Sequence, residues 1–360
     1  MNLAETQAGI KRGIVIVALL TFTFYFGRFL IVQGINVYRM INPPKLPVPA
    51  SSFGQLPQLK MTRVQIEGNP EYILDTQNGN LPNFADRLKV YPLIQPQPTL
   101  LSEQKIKQLA ADLQFTGASS KLTNSVFRWV DGTNTRTFQA DAVTKNFKLE
   151  TPPFRISNIV STTSSITEAD AIESVEGFLK SKVLLSQTDL ANIAYVTIPT
   201  QVNLGQIRES KSTATSAKLL KVDAYIEIPG TKSSTRDPDV KYRVLGPNPK
   251  DSLISFTTTN NNNMAFKYPI VNFTYWEPDY TNGSEYYLTP IQDVWAAIQS
   301  GNGITSYVRT RSGDYYVPIE RLAVSRIEIR DIYLAYYMQP EYTPYLQPVY
   351  VFEGPNFTAL

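Results

Sequence analysis

The chain has no cysteine and no histidine among its 360 residues, and those two absences remove much of the usual catalytic chemistry. Ser-His-Asp and Cys-His nucleophile systems, thiolate redox motifs and the common zinc ligand sets all need one or the other. An excess of charge is also missing. The 34 Lys and Arg against 31 Asp and Glu leave a net charge of +3, with none of the clustered basic surface that nucleic-acid binding requires. No cofactor or metal is expected. A long chain without disulfides fits a compartment outside the cytosol whose owner does not rely on them.

What is present is a chain that is 42% hydrophobic, with 21 Tyr and 25 Pro, a composition that fills cores and favours strands joined by ordered turns. One apolar run stands out, Gly13 to Val32, with a single charge in its 20 residues. As an α-helix it just covers a hydrocarbon core of about 30 Å. A secretory signal has an apolar stretch of about 7–15 residues ended by a small-x-small site. Here the run is longer and Arg28-Phe-Leu-Ile-Val-Gln33 offers no such site, so a retained transmembrane helix over 13–35 is expected. Arg28 lies two-thirds along it. Its guanidinium either snorkels to the far interface or meets a partner helix inside the membrane, and Arg28 is the candidate intramembrane contact. Lys11 and Arg12 precede the run, while Arg39 and Lys45 follow at a distance, which points the short tail 1–12 to the cytoplasm and the bulk of the chain outside.

Residues 36–60 are proline-rich from Asn42-Pro-Pro-Lys-Leu-Pro-Val-Pro49 through Pro57. They read as a polyproline II stalk, or as a loop docked through Leu46, Val48 and Phe53.

The rest reads as α+β, in three helix-on-antiparallel-meander modules over 61–160, 161–285 and 286–360. In the first, Ser102 is the expected N-cap of a helix carrying Ile106, Leu109, Ala110 and Leu113, and strands 125–130, 135–140 and 146–150 follow, with Asp131-Gly132 as a hairpin signal. In the second, Ser165-Ile-Thr-Glu168 is an expected capping box before Ile166, Ala169, Ile172, Val175 and Leu179. Strands 193–198 and 219–228 come next, the latter alternating at Leu220, Val222, Ala224, Ile226 and Ile228. Residues 229–251 read as a polar loop or lid, and Asn260–Asn263 as a loop tip. In the third, Thr289-Pro290 starts a helix bearing Ile291, Val294, Trp295 and Ile298, which Gly301 stops. The apolar phase then changes between Ile329 and Ile332, which requires a bulge or a turn. A last strand covers 346–352.

The helix start Ser165-Ile-Thr-Glu-Ala-Asp-Ala-Ile172 is similar to that of PepSY-type modules. The closing pair Asp331-Ile-Tyr-Leu-Ala-Tyr-Tyr337 and Leu346-Gln-Pro-Val-Tyr-Val-Phe352, after a Trp-bearing helix, resembles the carboxy-terminal end of YycH/YycI proteins. That resemblance covers about a third of the chain and implies a single-span extracytoplasmic regulator of a sensor histidine kinase, with no catalytic residues. The proline-rich segment and the polar stretch 229–251 have no place in it.

Two enzyme-like patterns compete. Ser102-Glu-Gln-Lys105 matches Ser-x-x-Lys, but no Lys-Thr-Gly follows and an N-cap role accounts for Ser102. Glu277, Asp279, Glu285 and Asp293 are near one another in sequence and would suit glycoside cleavage only if two of them paired in space. Between Tyr268 and Tyr287 aromatics are dense. Tyr275, Trp276, Tyr280 and Tyr286 are candidates for a binding surface, as a protein hot spot or for sugar stacking, against the reading that alternate rings fill the sheet core. Asn272, Asn282 and Asn356 begin Asn-x-Ser/Thr triplets that matter only in a glycosylating host. The expected function is non-catalytic: a membrane-anchored protein that binds and regulates or scaffolds another envelope protein. Cell-wall glycan binding or cleavage is the alternative.

Overall fold

The computed structural model describes residues 3–41, 48–61, 63–68, 70–133, 135–210, 217–230, 240–308, 321–323, 325–355 and 357–360. They divide into two compact units, Met1–Val48 and Pro49–Leu360.

The first unit is one helix, α1 (Leu3–Ile41), 39 residues long, or about 58 Å at the α-helical rise. It outruns the expected span at both ends. The tail is helical because Leu3-Ala-Glu-Thr-Gln-Ala8 is rich in helix formers, and the helix stops just before Asn42-Pro-Pro, where proline disfavours it. Ile16, Leu19, Phe22, Phe26, Leu30 and Tyr38 all stand open, between 50% and 68% exposed. Thr21 and Thr23 donate their hydroxyls to the carbonyls of Val17 and Leu19, each at 2.8 Å. Among the described residues no helix is long and apolar enough to cross a membrane. Over 19–38 Arg28, Gln33 and Asn36 dilute the apolar run. A long helix lies over the expected span, and the expectation that it is a transmembrane helix gains no support from it.

The second unit is a sheet-rich α+β body. It opens with β1 (Gln65–Glu67), β2 (Glu71–Leu74) and β3 (Arg87–Pro92), then α2 (Ser102–Asp112) and a meander of β4 (Ser120–Lys121), β5 (Val126–Asp131), β6 (Arg136–Asp141) and β7 (Phe147–Glu150). Next come α3 (Pro153–Thr162), α4 (Glu168–Ser181), α5 (Gln187–Leu190), β8 (Ile193–Asn203), β9 (Gln206–Glu209), β10 (Leu220–Pro229), β11 (Lys241–Leu245) and β12 (Ile254–Thr258). The last third holds α6 (Met264–Lys267), β13 (Ile270–Phe273), β14 (Ser284–Tyr287), α7 (Ile291–Gln299), β15 (Thr305–Val308), β16 (Arg321–Ala323), β17 (Arg326–Ile329), β18 (Asp331–Tyr337), β19 (Tyr345–Gly354) and β20 (Phe357–Ala359).

The three expected modules share one continuous sheet, ordered β14-β3-β19-β18-β11-β10-β12-β13-β7-β6-β5-β4. β3 lies between two strands from near the other end of the chain, and β7 pairs antiparallel with β13 at Leu149↔Val271. The expected phase change is a break at Arg330, with β17 before it and β18 after, so Ile327 and Ile329 and then Ile332, Leu334 and Tyr336 are buried. Gly354 permits β19 to pass β17, since a Cβ there would sit 2.0 Å from the Glu328 carbonyl oxygen.

β10 departs from its expected alternation. Leu220, Val222, Ala224, Ile226 and Ile228 enter the main core, but Lys221, Asp223 and Tyr225 between them are buried too. Its second face is covered because Tyr225 packs with Leu245, Ala335, Tyr337, Val349 and Val351 in a separate cluster. Alternation in sequence cannot report a strand enclosed on both sides.

Helix starts differ locally. The N-cap of α2 is Leu101, while Ser102 Oγ accepts from the Thr99 amide at 3.0 Å. In α4 the cap is Thr167, whose Oγ1 accepts from the Asp170 amide at 3.1 Å, and Ala169 is exposed while Ala171, Val175, Phe178 and Leu179 face the core. In α7 the cap is Pro290.

The stalk expected over 36–60 is corrected as well. Its first residues continue α1, 42–47 lie outside the described residues, and 51–60 dock on the body. Ser52 and Phe53 donate their amides to Ser284 Oγ and Tyr286 Oη at 2.9 and 2.8 Å, Phe53 stacks on Tyr345 at 4.8 Å, and Gln347 Nε2 donates to the Pro57 carbonyl at 3.0 Å. Prolines extend the segment, but Phe53 and Leu59 give it apolar anchors.

Candidate functional site

A groove of about 670 Å³ lies beside α4, within the range of about 300–1,000 Å³ typical of ligand sites. One wall is a single face of α4. Asp170, Glu173, Ser174, Gly177 and Ser181 line it at helical spacing. The other wall is the segment from Thr259 through Asn260–Asn262 to Tyr268. Asn260 ties the two walls together, its Nδ2 donating to Ser164 Oγ at 2.9 Å and to the Ser165 carbonyl at 3.0 Å. Asn263 Oδ1 accepts from the Ala265 amide at 2.9 Å and caps α6. At the base, Tyr268 donates to the Ser174 carbonyl at 2.8 Å and its hydroxyl lies 2.7 Å from Ser174 Oγ. Lys182 and Asp112 form a 2.6 Å ion pair on the lining.

This arrangement is suited to hydrogen bonding more than to chemistry. Burial pushes the Tyr268 hydroxyl above its usual pKa, with Ser174 opposing the shift, so at neutral pH it is a donor and not a phenolate. Its ring is 2% exposed, so no aromatic face is offered for stacking. The expected loop tip at 260–263 is therefore one wall of the groove. Its amides were the available signal, but nothing in sequence pairs them with a helix some ninety residues earlier.

The expected aromatic surface is corrected. Tyr275 and Trp276 are only 8% and 5% exposed and belong to the main core, and Tyr280 packs against it. Trp276 Nε1 donates to the Gln339 carbonyl at 3.0 Å. Tyr275 and Tyr280 donate to the two carboxylate oxygens of Asp189, which also accepts from Ser186 Oγ at 2.8 Å. Asp189 is wholly buried, and burial together with its charge drives both tyrosine pKa values up. Tyr286 accepts from the Phe53 amide and anchors 51–54. The rings are dense because the core needs them, not a ligand. Arg28 is exposed on α1. Of the carboxylates, Asp279 closes a turn with Thr281 and Asn282, and Glu285 lies 3.9 Å from Arg87. Asn356 lies outside the described residues. Among the described residues no cluster of three or more acidic side chains is placed to hold a metal.

Sequence reasoning missed a buried ionic cluster on β10. Lys221 Nζ lies 2.7 Å from Asp223 Oδ2 and also bonds Asp251, while Asp223 Oδ1 has no hydrogen-bond partner. Burial would lower the Lys221 ammonium, but Asp223 and Asp251 hold it above its usual value. One ammonium shared between two carboxylates leaves the enclosed one undercompensated, and burial pushes Asp223 up to about 6 despite Lys221. The folded chain then takes up a proton near pH 6 that the unfolded chain binds only near pH 4. This group therefore favours the fold fully below the unfolded value and loses that contribution as pH rises through 6. Comparing urea unfolding of the wild type and Asp223→Asn, the difference in stability is expected to change by up to about 3 kcal/mol between pH 4 and 7. Parallel pH curves would contradict the assignment.

No family model matches the chain, and no curated protein matches it. Among solved structures, an uncharacterized protein from Eubacterium rectale is similar at 8% identity and a TM-score of 0.37, over 77% of this chain and 82% of that one. A likeness at that score carries no argument. The resemblance to YycH/YycI proteins and PepSY modules gains no support from these comparisons.

Proposed function

We propose that this chain is a membrane-anchored, extracytoplasmic binding protein without chemistry of its own, which docks another envelope membrane protein. The observation that carries it is α1. Its apolar side chains are exposed at successive positions around the helix, so no single buried stripe accounts for them. The hydroxyls of Thr21 and Thr23 are turned onto the backbone, which removes their need for water. The positive residues before the run set the tail inside and the body outside. The YycH/YycI resemblance supplies the kind of partner, a sensor kinase, and the polar groove beside α4 offers hydrogen bonds to an extended segment of it. Glycan binding has no comparable support once Tyr275 and Trp276 are inside the core.

The test compares the intact chain in its native membrane with the body from Pro49 onward. Starting at Pro49 retains the docked segment 51–60. The intact chain is expected to stay with membranes after alkaline carbonate and to crosslink to a defined membrane protein, and Arg28→Leu is expected to reduce that capture several-fold. Release by carbonate would refute the anchor, and equal capture by the body alone would refute a role for α1 in the interface.

A further inference from the structure

A smaller cavity of about 160 Å³ lies against α3, with Phe266 of α6 also on its lining. Arg155, Asn158, Ile159 and Thr162 of α3 line it together with Arg136 of β6 and Thr151. Arg136 is wholly buried. Its Nε and Nη2 donate to Asp131 Oδ2 at 3.2 and 3.0 Å, Nη1 to the Leu113 carbonyl at 3.2 Å and Nη2 to the Gln114 carbonyl at 3.4 Å. The Phe115 ring lies 4.4 Å from the guanidinium carbon. Those bonds occupy four of the five guanidinium N–H groups and leave one on Nη1. Arg155 donates Nη2 to the Thr133 carbonyl at 2.9 Å, but its Nε is buried with no partner. Thr151 is 4% exposed and its Oγ1 is likewise buried with no partner.

Buried polar atoms are nearly always paired. Two orphans on the wall of one cavity call for an occupant that accepts from a guanidinium and a hydroxyl. Two guanidinium groups and no carboxylate are among the described lining residues; Asp131 offsets Arg136 from outside the lining, and the charge of Arg155 favours an anion as the occupant. The cavity is below the size of sites for larger organic ligands, and the guanidinium fork matches oxyanion geometry. We propose that this cavity binds one small oxyanion of the phosphate or sulfate class, held by Arg155 Nε, Thr151 Oγ1 and the remaining Arg136 Nη1 hydrogen. Asn158, exposed on the same wall, leaves a side open for the ion or for the rest of a phosphorylated molecule.

Calorimetric titration of the intact chain in detergent with inorganic phosphate, sulfate and methyl phosphate tests this. Saturable binding of one anion per chain is expected, at least tenfold weaker in Arg155→Gln and several-fold weaker in Thr151→Val. Phosphate is expected to raise the melting temperature of the wild type and not of Arg155→Gln, with both variants melting near the wild type in its absence. Tighter methyl phosphate assigns the site to the head of a larger molecule, and tighter inorganic phosphate to the free ion. Absence of saturable binding by any of the three, or equal binding by Arg155→Gln, overturns the proposal.

Discussion

Replacing Lys221 by Met is expected to cost about 3–5 kcal/mol at neutral pH, because it strands a wholly buried carboxylate without its cation. Asp251 does not share that fate, since it is 40% exposed and Asn248 Nδ2 still donates to it at 2.8 Å. The loss should shrink in acid, where Asp223 is neutral and no longer needs a partner. Removing both charges together, as Lys221→Met with Asp223→Leu, should recover most of the stability, because a buried ion pair is often no better than apolar side chains of its size. Denaturant unfolding at pH 5 and pH 7.5 of the two variants checks all three statements. A Lys221→Met loss that is small and indifferent to pH would mean that Lys221 does not neutralise Asp223.

Asp189→Ala is expected to cost about 4 kcal/mol, for a different reason. The Asp189 carboxylate is held by three hydroxyls, those of Tyr275, Tyr280 and Ser186. A hydrogen bond to a buried charge contributes about 1.5–3 kcal/mol, and a buried donor left unpaired costs about 1–3 kcal/mol. Tyr275→Phe and Tyr280→Phe should each cost about 1.5–3 kcal/mol on the same reasoning, and less in an Asp189→Ala background, where there is no carboxylate left to lose. Double-mutant cycles by urea denaturation measure that coupling. Additive losses would show that the hydroxyls do not act through Asp189.

The helices of this fold are legible in sequence wherever one face is apolar and the other wet. Ile106 and Leu109 on α2, Leu113 at its carboxy-terminal cap, and Ile291 and Ile298 on α7 are buried as their spacing predicts. The break at Arg330 is legible for the same reason, because a shift of phase flips which side chains point inward. β10 is not, since a strand covered on both faces has no wet side to mark its register. The aromatics from Tyr268 to Tyr286 misdirect for a physical reason. Tyr and Trp are large apolar bodies with a polar tip, and a core that supplies Asp189 or the Gln339 carbonyl to that tip accepts them as readily as a binding surface does. Neither the groove nor the small cavity is legible, because each joins side chains that only the sheet brings together.

The place of β3 in the sheet bears on how the chain is made. Its partners are β14 and β19, and Pro92 meets Tyr345. At about 5–20 residues per second of synthesis, β3 waits on the order of tens of seconds for β19 to leave the ribosome. Through that interval Leu88, Val90 and Tyr91, all buried in the finished fold, have no completed sheet to enter. Loop closure over so long a chain segment is slow, so the nascent body is exposed to misassociation at its amino-terminal edge. Chains that stop before Tyr345 keep that edge open for good.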